Sequence, residues 1–148
     1  MTDIVSSQKR SLMMSGIKSH NTKPEIYIRK QLHNKGFRYR LNVKKMPGKP
    51  DLVLKKFSAV IFVHGCFWHG HNCKYFKWPK TRPDFWSNKI NNNKDNDSQV
   101  LAKLILAGWR ICVIWECAIK NKEKLPKDLI ETIIDWLYGI EKYIEISS

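Results

Sequence analysis

The chain has 148 residues, 43% of them hydrophobic and 11% aromatic, enough to bury one sizeable core and too few for several. Its first residues, MTDIVSSQKR, lack the apolar run of a secretory signal, and no later apolar stretch approaches bilayer thickness, so a cytoplasmic chain without a membrane span is expected. Four cysteines in a reducing compartment point to thiols or metal ligands rather than disulfides, and a formal net charge of +14 points to an anionic partner.

That charge is uneven: residues 1–50 carry a net +10, residues 51–100 a net +4, and the remainder is neutral. Nucleic acid, met mainly by the first half through phosphate neutralisation, is the expected partner. Lipid is disfavoured, because no amphipathic helix with a wide apolar face accompanies those lysines.

In chain order, Thr22-Lys23-Pro24-Glu25 has capping-box spacing with proline in the first turn, and Gly36 supplies a stop, so a helix is expected over 23–35. Phe37, Tyr39, Leu41 and Val43 alternate with polar residues, the period of a half-exposed strand. After the turn-rich KKMPGKP, DLVL (51–54) and AVIFV (59–63) read as two strands joined through Lys55 to Ser58, the second buried on both faces. The polar NKINNNKDND (88–97) reads as a mobile loop, residues 97–107 as a helix closed by Gly108, WRICVIWE (109–116) as a buried strand, and 127–138 as an amphipathic helix. The expected order is therefore α-β-β-β-loop-α-β-α, without internal repeats.

Chemistry concentrates in HGCFWHGHNC, residues 64–73. Cys66, His71 and Cys73, with Cys117 just beyond a later strand, offer the four nitrogen and sulfur ligands that structural zinc prefers, although buried free thiols would account for the cysteines as well. Cys112 falls at opposite parity inside the same strand, where a small buried hydrophobe is the expected role. His64 and His69 exceed a four-ligand site and are candidates for catalysis. Asp51 follows Pro50 at the head of one strand and His64 ends the next, a layout able to hold Mg²⁺ beside a scissile phosphate; alone, the Pro-Asp pair is equally a strand cap.

PGKPDLVL, IFVHGCFWHGHNC, RPDFW and WRICVIWECA, in that order and spacing, resemble the very short patch repair (Vsr-type) endonucleases, from SLMMSGIKSHNTKPE to about residue 138. The resemblance implies an α/β fold of the restriction-endonuclease type, three-layered with a central mixed sheet and a structural zinc site. It also implies one nuclease domain over residues 1–148: a basic DNA-contacting segment (1–20) and a catalytic core (21–148). By resemblance, Asp51 and the main-chain carbonyl of Val63 bind Mg²⁺, and His69 is the general base, oriented by Glu25. His64 lies at the scissile phosphate with Asp97 as its partner or as a ligand to metal-bound water. The zinc ligands correspond to Cys66, His71, Cys73 and Cys117.

For Glu25 a capping box, and for Asp97 a helix cap, compete with these roles. Phe67, Trp68 and Trp86 resemble the family's aromatic wedge, held outward by a metal-braced loop and opposed by Met13 or Met14 from the minor groove, whereas Trp109, Trp115 and Trp136 are assigned to the core. The implied activity is a Mg²⁺-dependent nick 5′ of the thymine in a T:G mismatch of double-stranded DNA, made by a monomer. Such enzymes accompany cytosine-5 methyltransferases, and a mismatch-repair ATPase is a further possible partner. Two other classes fit the same residues: a zinc-braced mismatch-binding module without catalysis, and a sequence-specific restriction endonuclease.

Overall fold

The structure, a computed structural model, describes residues 23–73, 76–120 and 126–147. In chain order the elements are α1 (Lys23–Asn34), β1 (Arg40–Leu41), β2 (Leu52–Leu54), a 3-10 turn (Lys55–Phe57) and β3 (Ala59–His64), followed by α2 (Pro83–Leu106), β4 (Arg110–Trp115), α3 (Cys117–Lys120), α4 (Pro126–Tyr138) and β5 (Tyr143–Ile146). Five strands form one mixed sheet in the order β1-β2-β3-β4-β5. The first three are antiparallel neighbours, while β3–β4 and β4–β5 are parallel. The tight β2–β3 turn closes with Ser58 in the left-handed region, its N–H donating to the Lys55 carbonyl. Parallel pairing of β3 with β4 needs a long crossover, and α2 supplies it.

The period of two sorts the strands into two cores. Leu52, Leu54, Ala59, Ile61, Cys112 and Ile114 face one layer, where Ile28 and Leu32 of α1 and Ile133 and Trp136 of α4 cover them. Val53, Val60, Phe62, Ile111, Val113 and Trp115 face the other, covered by Leu104, with Val100 and Leu101, of α2. The result is a three-layer helix-sheet-helix sandwich. β3 is buried on both faces, as its unbroken apolar run requires.

Four readings change. The segment 88–97 is not a loop: α2 runs unbroken from Pro83 to Leu106, because Ile90 and Leu104 bury fully and Asn93 and Asp97 meet the loop after β3. Tertiary docking here outweighs the weak helix propensity of asparagine and aspartate. Asp97 consequently lies well inside a helix and is no cap. The strand expected over 37–43 shortens to Arg40–Leu41, since Asn42 turns the chain at φ 48. A fifth strand, β5, follows α4, its Ile144 and Ile146 packing on the first core. Thr22, the capping half of the Glu25 box, lies outside the described residues, as do Met13 and Met14 and the whole 1–20 segment.

Gly48 fixes the loop ahead of β2. It sits at φ +72, and a Cβ there would lie 2.4 Å from Val100 Cγ1 and 3.2 Å from Phe62 Cε1. Gly48→Ala combines a left-handed backbone with a collision against α2, so a destabilisation of about 2–4 kcal/mol is expected in urea titrations. An unchanged midpoint would mean that the loop does not pack on α2.

Candidate active site and cysteine-histidine cluster

Antiparallel pairing puts the head of β2 beside the end of β3. Leu52 is in register with Ile61, so Asp51 reaches the last residues of β3, and its Oδ2 accepts the Val63 N–H at 2.6 Å. Since N–H and C=O of a strand residue face the same neighbour, the Val63 carbonyl turns to the Asp51 side as well. His64 faces the other way along the backbone, its carbonyl accepting the Glu116 N–H at 2.9 Å.

Asp51 is 9% exposed, and burial pushes its carboxyl up to about 7, against the opposing effect of the Val63 hydrogen bond and with a smaller contribution from the negative charge of Glu25. A carboxyl so placed gains most from a cation. Glu25, 1% exposed at the first turn of α1, is within ion-pair range of Arg29, at 4.0 Å.

His69 comes from the loop after β3, and the carboxylate at its ring is Asp97. Nδ1–H of His69 donates to Asp97 Oδ2 at 2.5 Å. The resemblance places Asp97 beside His64, and the uninterrupted α2 does carry it within ligand distance of both His64 and His69, while Glu25, for which the resemblance implies a role behind His69, adds its negative charge to the surroundings of Asp51. With Nδ1 protonated, the lone pair of His69 is left on Nε2.

The His64 ring stacks on His69, centroids 3.8 Å apart and the ring planes nearly parallel. Burial and then the neighbouring His69 push His64 down to about 3, so it stays neutral. Its Nδ1 is buried and, among the described residues, has no hydrogen-bond partner. Asp51, His64, His69 and Asp97 line one cavity of about 670 Å³, which Lys44, Lys49, Asn42 and Asn96 complete. None of these last four was singled out from the sequence; their position around Asp51 follows from the fold, and the charge-rich KKMPGKP was the available signal.

Next to this cavity, single donor atoms from Cys66, His71, Cys73 and Cys117 lie within 4.8 Å of one another. Cys117 Sγ stands 3.6 Å from His71 Nδ1, compatible with the edge of a tetrahedron of zinc-ligand bonds about 2.1–2.3 Å long. Cys66 and Cys117 are fully buried, and burial holds the Cys66 thiol up at about 12. Cys112 is also buried but lies in the opposite core. The His71 ring stacks on Trp115, centroids 4.2 Å apart. His64, His69 and Asp97 form a second group with donor atoms within 4.8 Å, though there the short His69–Asp97 hydrogen bond already satisfies two members.

The aromatic residues are braced by one another rather than projecting freely. Phe67 meets Trp68 and Trp86 edge-on at 5.2 and 5.4 Å, and Trp68 lies 5.9 Å from Trp86. Asn93 of α2 donates to the Trp68 carbonyl at 2.7 Å, tying the loop to the helix. Phe76, Trp78 and Phe85 extend the group, with Trp78 and Phe85 exposed. These three carry no spacing signal of their own, Phe76 and Trp78 lying in KYFKWPK and Phe85 directly before Trp86. Trp115 and Trp136 are buried in the cores and Trp109 packs against one, in keeping with their assignment to packing.

A buried carboxyl and a histidine hydrogen-bonded to a second carboxylate, lining one cavity of a basic chain, are groups suited to phosphodiester hydrolysis. A sequence profile of the family described as DNA mismatch endonuclease Vsr matches residues 2–75. The chain is 48% identical to the type II nicking enzyme V.NmeAIP of Neisseria meningitidis serogroup A over 122 residues, covering 82% of this chain and 87% of that one. It is 38% identical to the DNA mismatch endonuclease Vsr of Escherichia coli over 140 residues, 94% and 90% of the two chains. The type II nicking enzyme V.XorIIP of Xanthomonas oryzae is 45% identical over 82% of this chain and 89% of its own. The chain belongs to the DNA mismatch endonuclease Vsr family and is a DNA endonuclease. Among its described residues no helix is long and apolar enough to cross a membrane.

Proposed function

We propose that this endonuclease makes a Mg²⁺-dependent nick 5′ of the thymine in a T:G mismatch, repairing deaminated 5-methylcytosine. The observation that carries the reading is the meeting of Asp51 with the Asp97-backed His69 in one cavity. Asp51 and the Val63 carbonyl, turned to the same side, would hold Mg²⁺, a hard cation that takes oxygen ligands. When bound, the ion polarises the scissile phosphate and offsets its developing charge.

The protein supplies the rest. His69 takes a proton from the attacking water at Nε2, because Asp97 holds the proton on Nδ1 and stabilises the imidazolium that forms. Neutral His64, stacked on His69, keeps a second positive charge away from the base. Glu25 adds its negative charge to the surroundings of Asp51. Cys66, His71, Cys73 and Cys117 would hold structural zinc, bracing the loop that carries His69. Phe67, Trp68 and Trp86, opposed by Met14, would open the stack at the mismatch, where unstacking is least costly.

The observed α-β-β-β-α-β succession within three layers supports the restriction-endonuclease type of fold. A monomer of one domain suffices for a single-strand nick. A place in the bacterial cytoplasm at the nucleoid, alongside a cytosine-5 methyltransferase and a mismatch-repair ATPase, fits the chemistry.

The test is cleavage of end-labelled duplexes that differ only by the mismatch, placed where a methylated cytosine of CC(A/T)GG would deaminate, with each strand labelled in turn. A nick confined to the thymine strand, dependent on Mg²⁺ and absent from matched duplex, is expected. Cutting of both strands of the matched duplex would establish a restriction enzyme instead. Binding without cutting across a panel of sequence contexts would establish a binding module.

A further inference from the structure

We propose that Lys49, with Lys44 beside it, is a phosphate clamp that seats the backbone of the cut strand over the hydrolytic centre. The inference rests on the assignment of that centre to Asp51 and His69.

Three observations lead to it. A phosphodiester entering the cavity meets the acidic residues Asp51 and Asp97, and the lysines among the residues lining the same space are Lys44 and Lys49. An anionic wall needs a cation to admit an anionic substrate, and a lysine ammonium acts there as a point charge on phosphate oxygen.

The second observation is conformational. Lys49 sits at φ 47, in the left-handed region, directly before Pro50. That backbone costs a residue with a Cβ about 1–2 kcal/mol, and a following proline further disfavours helical conformations. Glycine or asparagine would fill the position with less strain. Strain retained at a lysine on the rim of a reactive cavity is the kind that function maintains.

Third, the loop has little freedom to relax. The Lys49 N–H donates to the Met46 carbonyl at 3.1 Å, the Asn42 N–H to the Asp51 carbonyl at 3.2 Å, and Gly48 is pressed against Val100 and Phe62 of the core. The turn thus presents Lys49 two residues ahead of Asp51 in a fixed position.

The test uses the full chain, with binding measured on matched and mismatched duplexes across a salt series, steady-state nicking, and thermal unfolding. Lys49→Gly should weaken both duplexes by the same factor, roughly tenfold near physiological salt, and flatten the log-log salt slope by about 0.9. KM should rise by a similar factor while kcat stays within about threefold. Its melting temperature should equal or exceed that of the parent, because glycine accepts the backbone that lysine resists. Lys49→Arg should restore the slope. Weaker binding without loss of stability is a signature that a purely structural lysine does not give.

An unchanged salt slope in Lys49→Gly, or weakening confined to the mismatched duplex, would overturn the clamp. The underlying site assignment fails differently: Asp51→Asn would then still nick. Because the clamp is read on binding and the site on cutting, the two failures are separable.

Discussion

Asp51→Asn should bind mismatched duplex as the parent does and nick it roughly a thousandfold more slowly, the loss expected when several kcal/mol of cation-borne charge stabilisation disappear. The substitution is nearly isosteric, and the asparagine carbonyl can still accept the Val63 N–H, so the β2–β3 geometry survives. The same change should make the metal-free protein more stable. Asp51 is raised from 3.8 to about 7 in the folded chain, chiefly by burial. Between those values the folded state holds a proton that the unfolded state has released, so stability falls as pH rises through the window, and the full penalty persists above it.

Asparagine carries no such penalty. At about pH 8, without divalent cations, Asp51→Asn should therefore exceed the parent by on the order of 2 kcal/mol, and the difference should vanish towards about pH 4. Denaturant titrations at the two pH values with chelator present make the measurement. Parental nicking rates in Asp51→Asn would move the hydrolytic centre elsewhere. A less stable metal-free Asp51→Asn would contradict the desolvated carboxylate.

Removing the second proposed metal should damage fold and activity together. The donors Cys66, His71 and Cys73 bracket His69 in sequence, and the loop between them is held from within by the bonds of His69 N–H to the Gly65 carbonyl and His71 N–H to the Cys66 carbonyl. Cys117 joins that loop to the end of β4, and His71 stacks on Trp115 there. Zinc would draw this region into one unit and displace thiol protons that burial otherwise retains.

Cys117→Ser should lose the zinc, lower the melting temperature by roughly 10 °C, as a loss of about 4 kcal/mol does in a chain of this size, and abolish nicking. Elemental analysis should find one zinc per parent chain. Cys112→Ala, in the opposite core, should keep the metal. A parent without zinc would leave three thiols and a histidine without a metal, and a Cys117→Ser protein that retains zinc would exclude Cys117 as a ligand.

Much of the scaffold was legible in the sequence because its signals are local. AVIFV is apolar throughout and becomes a strand buried on both sides; Gly36 and Gly108 mark helix ends with left-handed backbone; and the parity that separates Cys112 from Cys117 places them in different environments. The spacing of Cys66, His71 and Cys73 already suggested shared ligation, and those atoms do converge with Cys117. What went unread depended on partners far along the chain. The asparagine-rich part of α2 has weak intrinsic helicity and is helical because Ile90 and Leu104 anchor it and Asn93 meets Trp68. β5 is a short alternating segment near the chain end whose Ile144 and Ile146 acquire meaning only beside β4.

The amino-acid sequence alone determined the α/β character, the basic first half, the clustering of cysteines and histidines and the two histidines in excess of a four-ligand set. Each follows from residue type, spacing or periodicity, which need no knowledge of distant neighbours. Only the tertiary structure decided that Asp97 belongs to His69, that Glu25 acts on Asp51, and that Lys49 stands at the same cavity. The His69–Asp97 bond by itself joins residues 28 positions apart, through one uninterrupted helix. Hydrogen bonds and charge interactions act over a few ångströms in space, so sequence distance carries no record of them until the chain has closed.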